Sequence, residues 1–277
     1  MCELFAFSSS NPTRARFSLE EFRLHGCAKG PHCDGWGVAF YNGSYAQIYR
    51  EEKPAAYSEW ARFLLQHEMY STCVISHIRK ATQGSISLQN TQPFSRESHG
   101  VRHVFSHNGN LKNFKEHCVF DRYEPIGDTD SEFAFCKLMD SVYALWGTSV
   151  PTLDQRIDLL SKLFLEWSRL GPANIIYSDS EYLFAFANRR TQLNERIEPP
   201  GLYYLQRDEE THKHFNKLAG VELDYSVQDT TLFASVPLSN EPWQPFKENE
   251  LIVCKNGLVV KRVQLTYRWN EEKVIIK

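Results

Sequence analysis

The chain has 277 residues, 42% hydrophobic and 23% charged, with a net charge of −3. That composition fits a globular protein with a large core and excludes a strongly basic nucleic-acid surface. No stretch reaches the roughly 18 apolar residues of a membrane helix, and Glu3 sits where a secretory leader carries basic residues. The expected compartment is therefore the cytoplasm, with neither nucleic acid nor membrane as a partner.

The first apolar run, Leu4-Phe5-Ala6-Phe7, predicts a strand over 2–8 with Cys2 at its tip. Further strands are expected at 36–41, 45–49, 73–78 and 101–106, with Asn42-Gly43 as a hairpin turn between two of them. Ser58 predicts the N-cap of a short helix carrying Trp60, Phe63 and Leu64. Thr129-Asp130-Ser131-Glu132 fits a capping box. Behind it Phe135, Leu138, Met139, Val142, Leu145 and Trp146 recur at helical spacing. A second helix is expected from Thr152 through Ile157, Leu160, Phe164 and Trp167. Strands follow at 173–178, 182–188, 201–206, 230–236, 250–254 and 258–265, the last two joined by an Asn256-Gly257 hairpin. Strands, two adjacent helices and more strands, without βαβ alternation, indicate an α+β fold with largely antiparallel sheets. No Pro/Gly/Ser-rich linker divides the chain, so one domain over 2–277 is expected.

Chemistry is concentrated in a few segments. A cysteine behind the initiator methionine becomes N-terminal once Met1 is removed. It then offers a thiol, with a pKa near 8.5, and an α-amine near 7.7–8.0, which together supply a nucleophile and a base. Arg79, at the end of a predicted strand in SHIRKATQG, has a guanidinium suited to gripping a carboxylate. Asn108-Gly109 is either a hairpin turn or a pair of donors for a developing oxyanion. Asp130 is either a helix-cap carboxylate or a receiver for an ammonium group. Gly35 and Gly37 flank Trp36 at a strand entry, marking a tight turn or a close backbone approach. His77 reads as a satisfied core histidine. Taken singly, these are a chance cysteine, a surface arginine, a turn and a cap. The seven cysteines lack CxxC spacing and are expected to be mostly ordinary buried thiols. His25, Cys27, His32 and Cys33 are soft ligands, but their spacing is too compressed for a usual zinc site.

In combination and in this order, the segments resemble the class II glutamine amidotransferases. Cys2 matches that family's N-terminal cysteine, His77–Thr82 its HxRxAT segment, His107-Asn108-Gly109 its HNG segment and Thr129–Glu132 its TD[ST]E segment. HCDGWGVAFY at 32–41, QNTQPF at 89–94 and SVPLSNEPW at 235–243 look most like the stand-alone, YafJ-type members. The resemblance implies the N-terminal nucleophile hydrolase fold, a four-layer αββα sandwich. It implies Cys2 as nucleophile with its own α-amine as base, and Asn108 and Gly109 as the oxyanion hole. Arg79, with Thr82 nearby, would hold the glutamine α-carboxylate, and Asp130 the α-ammonium. It implies no metal and no cofactor. The expected reaction releases ammonia and glutamate from glutamine, with another γ-glutamyl amide as the alternative substrate and a separate protein as a possible ammonia acceptor. A subunit that only senses glutamine is disfavoured by the full set of reactive residues. Gln92 stands where such relatives often have His, and is expected to have no catalytic part.

Overall fold

The computed structural model describes residues 2–13, 16–67, 69–147, 149–192, 194–207, 228–267 and 275–276. Along the chain the first elements are β1 (Glu3–Thr13), α1 (Arg16–His25), β2 (Trp36–Asn42), β3 (Tyr45–Glu51), α2 (Glu59–Gln66) and β4 (Ser71–Ile78). Next come β5 (Phe94–Ser98), β6 (Val101–Gly109), α3 (Asp130–Trp146), α4 (Leu153–Ser168), β7 (Ala173–Ser178) and β8 (Leu183–Ala187). The remainder is β9 (Arg190–Thr191), β10 (Ile197–Glu198), β11 (Tyr203–Arg207), β12 (Thr230–Ala234), β13 (Gln244–Pro245), β14 (Glu250–Lys255), β15 (Leu258–Thr266) and β16 (Ile275–Ile276).

The strands build two seven-stranded sheets, in the orders β13-β11-β12-β1-β4-β2-β3 and β16-β15-β14-β8-β7-β6-β5, and a small β9–β10 ribbon. Every pairing is antiparallel. Side chains alternate along a strand, so β1 feeds two cores. Leu4 and Ala6 point between the sheets and meet Ile75, Val104, Ile176, Ala185 and Ile252. Phe5 and Phe7 point outward and pack with Phe22 of α1 and Leu64 of α2. On the far side, α3 and α4 bury Phe135, Leu138, Phe164 and Trp167 against Phe105, Phe184 and Phe186. Three cores separate four layers, helix–sheet–sheet–helix, which is the αββα sandwich. Alanines and short branched residues dominate between the sheets, and aromatic rings fill the two outer layers.

Most elements lie where the sequence predicts them, and the differences have local causes. α1 was not expected, because Leu19 and Phe22 are too few to show a period; packing of Phe22 on β1 fixes it. β5 was also missed: its sequence FSRES has one buried ring, and pairing with β6 supplies its conformation. The Asn42-Gly43 turn is displaced by one residue, since Asn42 still pairs with Tyr45 and Gly43, at φ 62°, makes the turn. At Asn256-Gly257 both residues take positive φ, 49° and 81°, as a two-residue hairpin requires. The capping box at Thr129 is only half made. The Thr129 hydroxyl accepts the Glu132 N–H at 3.3 Å. The Glu132 carboxylate instead takes Arg96 at 2.7 Å and the Ile126 and Gly127 N–H groups. A full reciprocal box is found at Thr152 and Gln155.

Candidate active site

Cys2 immediately precedes β1, the middle strand of its sheet. The neighbouring β4 ends at Ile78, opposite Glu3, so the chain leaving it runs beside Cys2. The Lys80 N–H donates to Cys2 Sγ at 3.3 Å, and the thiol faces the Lys80 carbonyl at 3.4 Å. Burial pushes the Cys2 thiol up; the Lys80 N–H and the Arg79 charge oppose that without cancelling it. A thiol in this state is mainly protonated near neutrality and needs a base to attack. Cys73, Cys136 and Cys254 are buried thiols pushed up to about 12 by burial, which leaves them inert at neutral pH.

The segment after β4 is braced by HCDGWG. Asp34 Oδ2 accepts the Ala81 N–H at 2.7 Å, the Asp34 N–H donates to the Arg79 carbonyl, and the Arg79 N–H donates to the Gly35 carbonyl. Gly35 has φ 130°, which favours glycine. Its tight turn is thus a brace beneath Arg79. Arg79 is buried and curls the following loop around itself, donating to the carbonyls of Gln83, Gly84 and Ser85 at 3.1, 3.4 and 2.9 Å. A guanidinium has five N–H donors, so this use leaves donors for a ligand. Thr82 lies exposed on the loop.

Asn108 and Gly109 do not turn. They are the last two residues of β6, paired with Asn174 and Ala173 of β7. A Cβ on Gly109 would stand 1.8 Å from the Pro172 carbonyl oxygen, so the close approach of the two strands requires glycine. Asn108 is fully buried, its carbonyl accepting from Asn174 Nδ2 at 3.0 Å and its own Nδ2 donating to Ser235 Oγ at 3.4 Å. Asp130 opens α3, and its Oδ2 accepts the Leu111 N–H at 2.7 Å. One carboxylate oxygen therefore anchors the chain just past Gly109, and the other has no partner among the described residues.

Hydrogen bonds join these pieces in a ring. Ser235 Oγ accepts the Leu4 N–H as well as Asn108 Nδ2, linking β1 to the end of β6. Gln83 Nε2 donates to Asn110 Oδ1 at 2.6 Å, linking the Arg79 loop to the same segment. Cys2, Arg79, Asn108, Gly109 and Asp130, scattered over 130 residues of sequence, belong to one connected cluster. Sequence reasoning missed Asp34, Asn174 and Ser235, and it named Gln92 only to give it no catalytic part. The segments of Asp34, Gln92 and Ser235 were noticed as motifs and that of Asn174 as a strand, but side chains that act mainly on backbone have no spacing rule to reveal them.

Beside Cys2, Glu3 is buried and ion-paired to His25 at 2.7 Å, with His32 at 4.0 Å. Burial alone would raise the Glu3 carboxyl, but the His25 hydrogen bond and the His25, His32 and Arg190 charges hold it below its usual range. The Glu3 hydrogen bond pushes His25 up. Next to these histidines, Cys27 and Cys33 form a disulfide, an exception to the expectation that the cysteines are mostly ordinary buried thiols. Bonded to each other, they offer no thiolates to a metal. Among the described residues no group of three His, Cys, Asp or Glu is placed to hold one. His77 is buried but not satisfied: neither ring nitrogen has a partner among the described residues. Burial and the Arg79 charge hold it well below its ordinary pKa, hence neutral.

The family model described as glutamine amidotransferases class-II matches residues 1–274. The chain belongs to the class II glutamine amidotransferases. This amidotransferase is 31% identical over 256 residues to YafJ of Escherichia coli, whose name assigns it to the glutamine amidotransferases, covering 90% of this chain and 96% of that one. It is 32% identical over 270 residues to a Haemophilus influenzae protein of like name, covering 95% and 87%. A crystal structure from Pseudomonas aeruginosa, described as a predicted glutamine amidotransferase, superposes with TM-score 0.69 at 27% identity, covering 94% of this chain and all of that one. The glutamine PRPP amidotransferase of B. subtilis shares the fold at TM-score 0.56 and 13% identity, over 49% of its own chain.

Proposed function

We propose that this amidotransferase hydrolyses the side-chain amide of glutamine, with Cys2 as the nucleophile once Met1 has been removed. The α-amine of Cys2 takes the thiol proton, and the thiolate attacks the amide carbon. The oxyanion is received by Asn108 Nδ2 and the Gly109 N–H, each such donor contributing on the order of 3–4 kcal/mol. The protonated α-amine passes its proton to the departing nitrogen, which leaves as ammonia. Water then attacks the γ-glutamyl thioester, giving glutamate and restoring the thiol. Arg79 and Thr82 hold the substrate carboxylate, and Asp130 its ammonium, through the carboxylate oxygen that Leu111 leaves free.

The observation that most supports this reading is the ring of hydrogen bonds tying Cys2, the Arg79 loop, the end of β6 and Asp130 together. A cation and an anion flanking one thiol suit a zwitterion presented by its two ends. The raised thiol gives the amine a task, since a buried protonated sulfur needs a base close at hand.

The test uses protein shown by mass spectrometry to begin at Cys2. Cys2→Ala should abolish ammonia release from glutamine without changing the thermal transition, and so should retention of Met1. Undiminished glutaminase activity in either form would refute the assignment. A substrate panel including γ-glutamyl peptides reads which amide is cleaved fastest.

A further inference from the structure

Gln92 is buried, and its side-chain amide takes both backbone groups of a single residue, His107. Gln92 Oε1 accepts the His107 N–H at 2.6 Å, and Gln92 Nε2 donates to the His107 carbonyl at 3.1 Å. That orientation of the amide is the one that satisfies both bonds. The next residue is Asn108.

The register explains why a side chain does this. β5 pairs with β6 from Val101↔Ser98 to Phe105↔Phe94. Continued by two residues, the ladder would set the Gln92 backbone opposite His107. It stops short, because the chain at 92 turns away toward the other sheet. A Cβ on Gly37 of β2 would lie 2.3 Å from the Gln92 carbonyl oxygen, so the Gln92 backbone rests on Gly37. The carboxamide, being a peptide group in miniature, replaces the missing strand at His107. Without it, the edge of β6 just before Asn108 would carry a buried N–H and C=O with no partner, and such groups are rarely left unmade.

Gln92 therefore touches both sheets at the end where the site lies. Its backbone sits on Gly37, which pairs with His77, two residues before Arg79. Its amide holds the strand that carries Asn108 and Gly109. On the opposite edge β7 and Asn174 hold the same segment.

We propose that Gln92 is a positioning residue that fixes the oxyanion donors Asn108 and Gly109 at their distance from Cys2. This deepens the reading above and rests on it. A donor must sit about 2.7–3.1 Å from where the oxyanion forms, so a shift of a few tenths of an ångström in β6 reduces turnover and leaves the substrate grips in place.

The test compares wild type with Gln92→Met, which keeps length and apolar volume and loses both bonds. Gln92→Glu is the second variant; it keeps the acceptor and loses the donor. In unliganded protein, amide hydrogen exchange at residues 105–110 should quicken at least ten-fold in Gln92→Met. With glutamine, kcat should fall at least ten-fold while KM stays within two-fold. The rate of Cys2 alkylation by iodoacetamide, which forms no oxyanion, should be unchanged. Gln92→Glu should lie between the other two proteins.

Unchanged exchange at 105–110 overturns the proposal, and so does faster exchange with undiminished kcat. Equal losses in kcat, in substrate affinity and in alkylation overturn it in favour of a general packing role. If Gln92→Met fails to fold, the same readings on Gln92→Glu decide. If wild type shows no Cys2-dependent turnover, the functional reading fails, and the exchange measurement still decides whether Gln92 clamps β6.

Discussion

Cys2 and Glu3 are adjacent in sequence and opposite in titration. Burial raises the Cys2 thiol, so its alkylation in unliganded protein should still be accelerating with pH beyond about 8.5, the free-thiol value. Mass spectrometry of the N-terminal peptide over a pH series measures this, and a plateau below pH 7 would contradict it. For Glu3 and His25 the signs differ. The Glu3 carboxyl is lowered from 4.5, so its contribution to stability is present above that value and fades as pH falls through the folded pKa. His25 is raised from 6.5, so its contribution is complete below that value and fades as pH rises through the folded pKa. The pair therefore stabilises most between about pH 4.5 and 6.5. Glu21, Lys29, His32 and Arg190 are the other charges acting on it. His25→Asn should flatten the fall of Tm just above pH 6.5, and an unaltered slope would show that the pair does not titrate with folding.

The Cys27–Cys33 bridge shows how one element supports another. It closes the turn between α1 and the Asp34-Gly35 brace, which in turn holds Arg79 and Ala81. A loop this short restricts the unfolded chain by about 2 kcal/mol. The double variant Cys27→Ser/Cys33→Ser should lose roughly that amount in urea denaturation. A dithiol reductant should bring wild type down to the variant and leave the variant unmoved. The elements legible in the sequence were those whose period reports their own packing, such as α3 with its run from Phe135 to Trp146. α1 and β5 were not legible, because each has too few apolar positions and takes its shape from a neighbour. The same distinction holds in the site. Cys2, Arg79, Asn108, Gly109 and Asp130 stood out by residue type within motifs. Asn174 and Ser235 did not, and Gln92 stood out only as a departure from relatives, since their work is done mainly on backbone atoms of distant segments, and Asn108-Gly109 carried a turn signal that pairing with β7 overrides.

Neither half of the molecule has a sheet of its own. The first sheet combines β1–β4 with β11–β13, and the second combines β5–β8 with β14–β16. The core between them draws on all four sets of strands. A structure interleaved in this way should unfold in one step. Trp36 reports the outer layer over the first sheet, and Trp146 and Trp167 the layer over the second. Tryptophan fluorescence and far-ultraviolet circular dichroism should therefore give coincident thermal transitions. Two separated transitions would mean that the layers melt independently.

β1 is made before β12, Thr230–Ala234, but is hydrogen-bonded on both edges only once β12 is in place. Until then its leading end is paired on one edge alone, with β4. Under the proposed function, that interval is when an aminopeptidase reaches the bond ahead of Cys2. Once β12 docks, Ser235 closes on Leu4 and the end of the strand is drawn into the sandwich. On the reading proposed above, in which activity needs a free Cys2 α-amine, a race between trimming and folding sets the active fraction in a cell that overproduces the protein. Slower translation should raise that fraction without altering a single contact in the finished molecule.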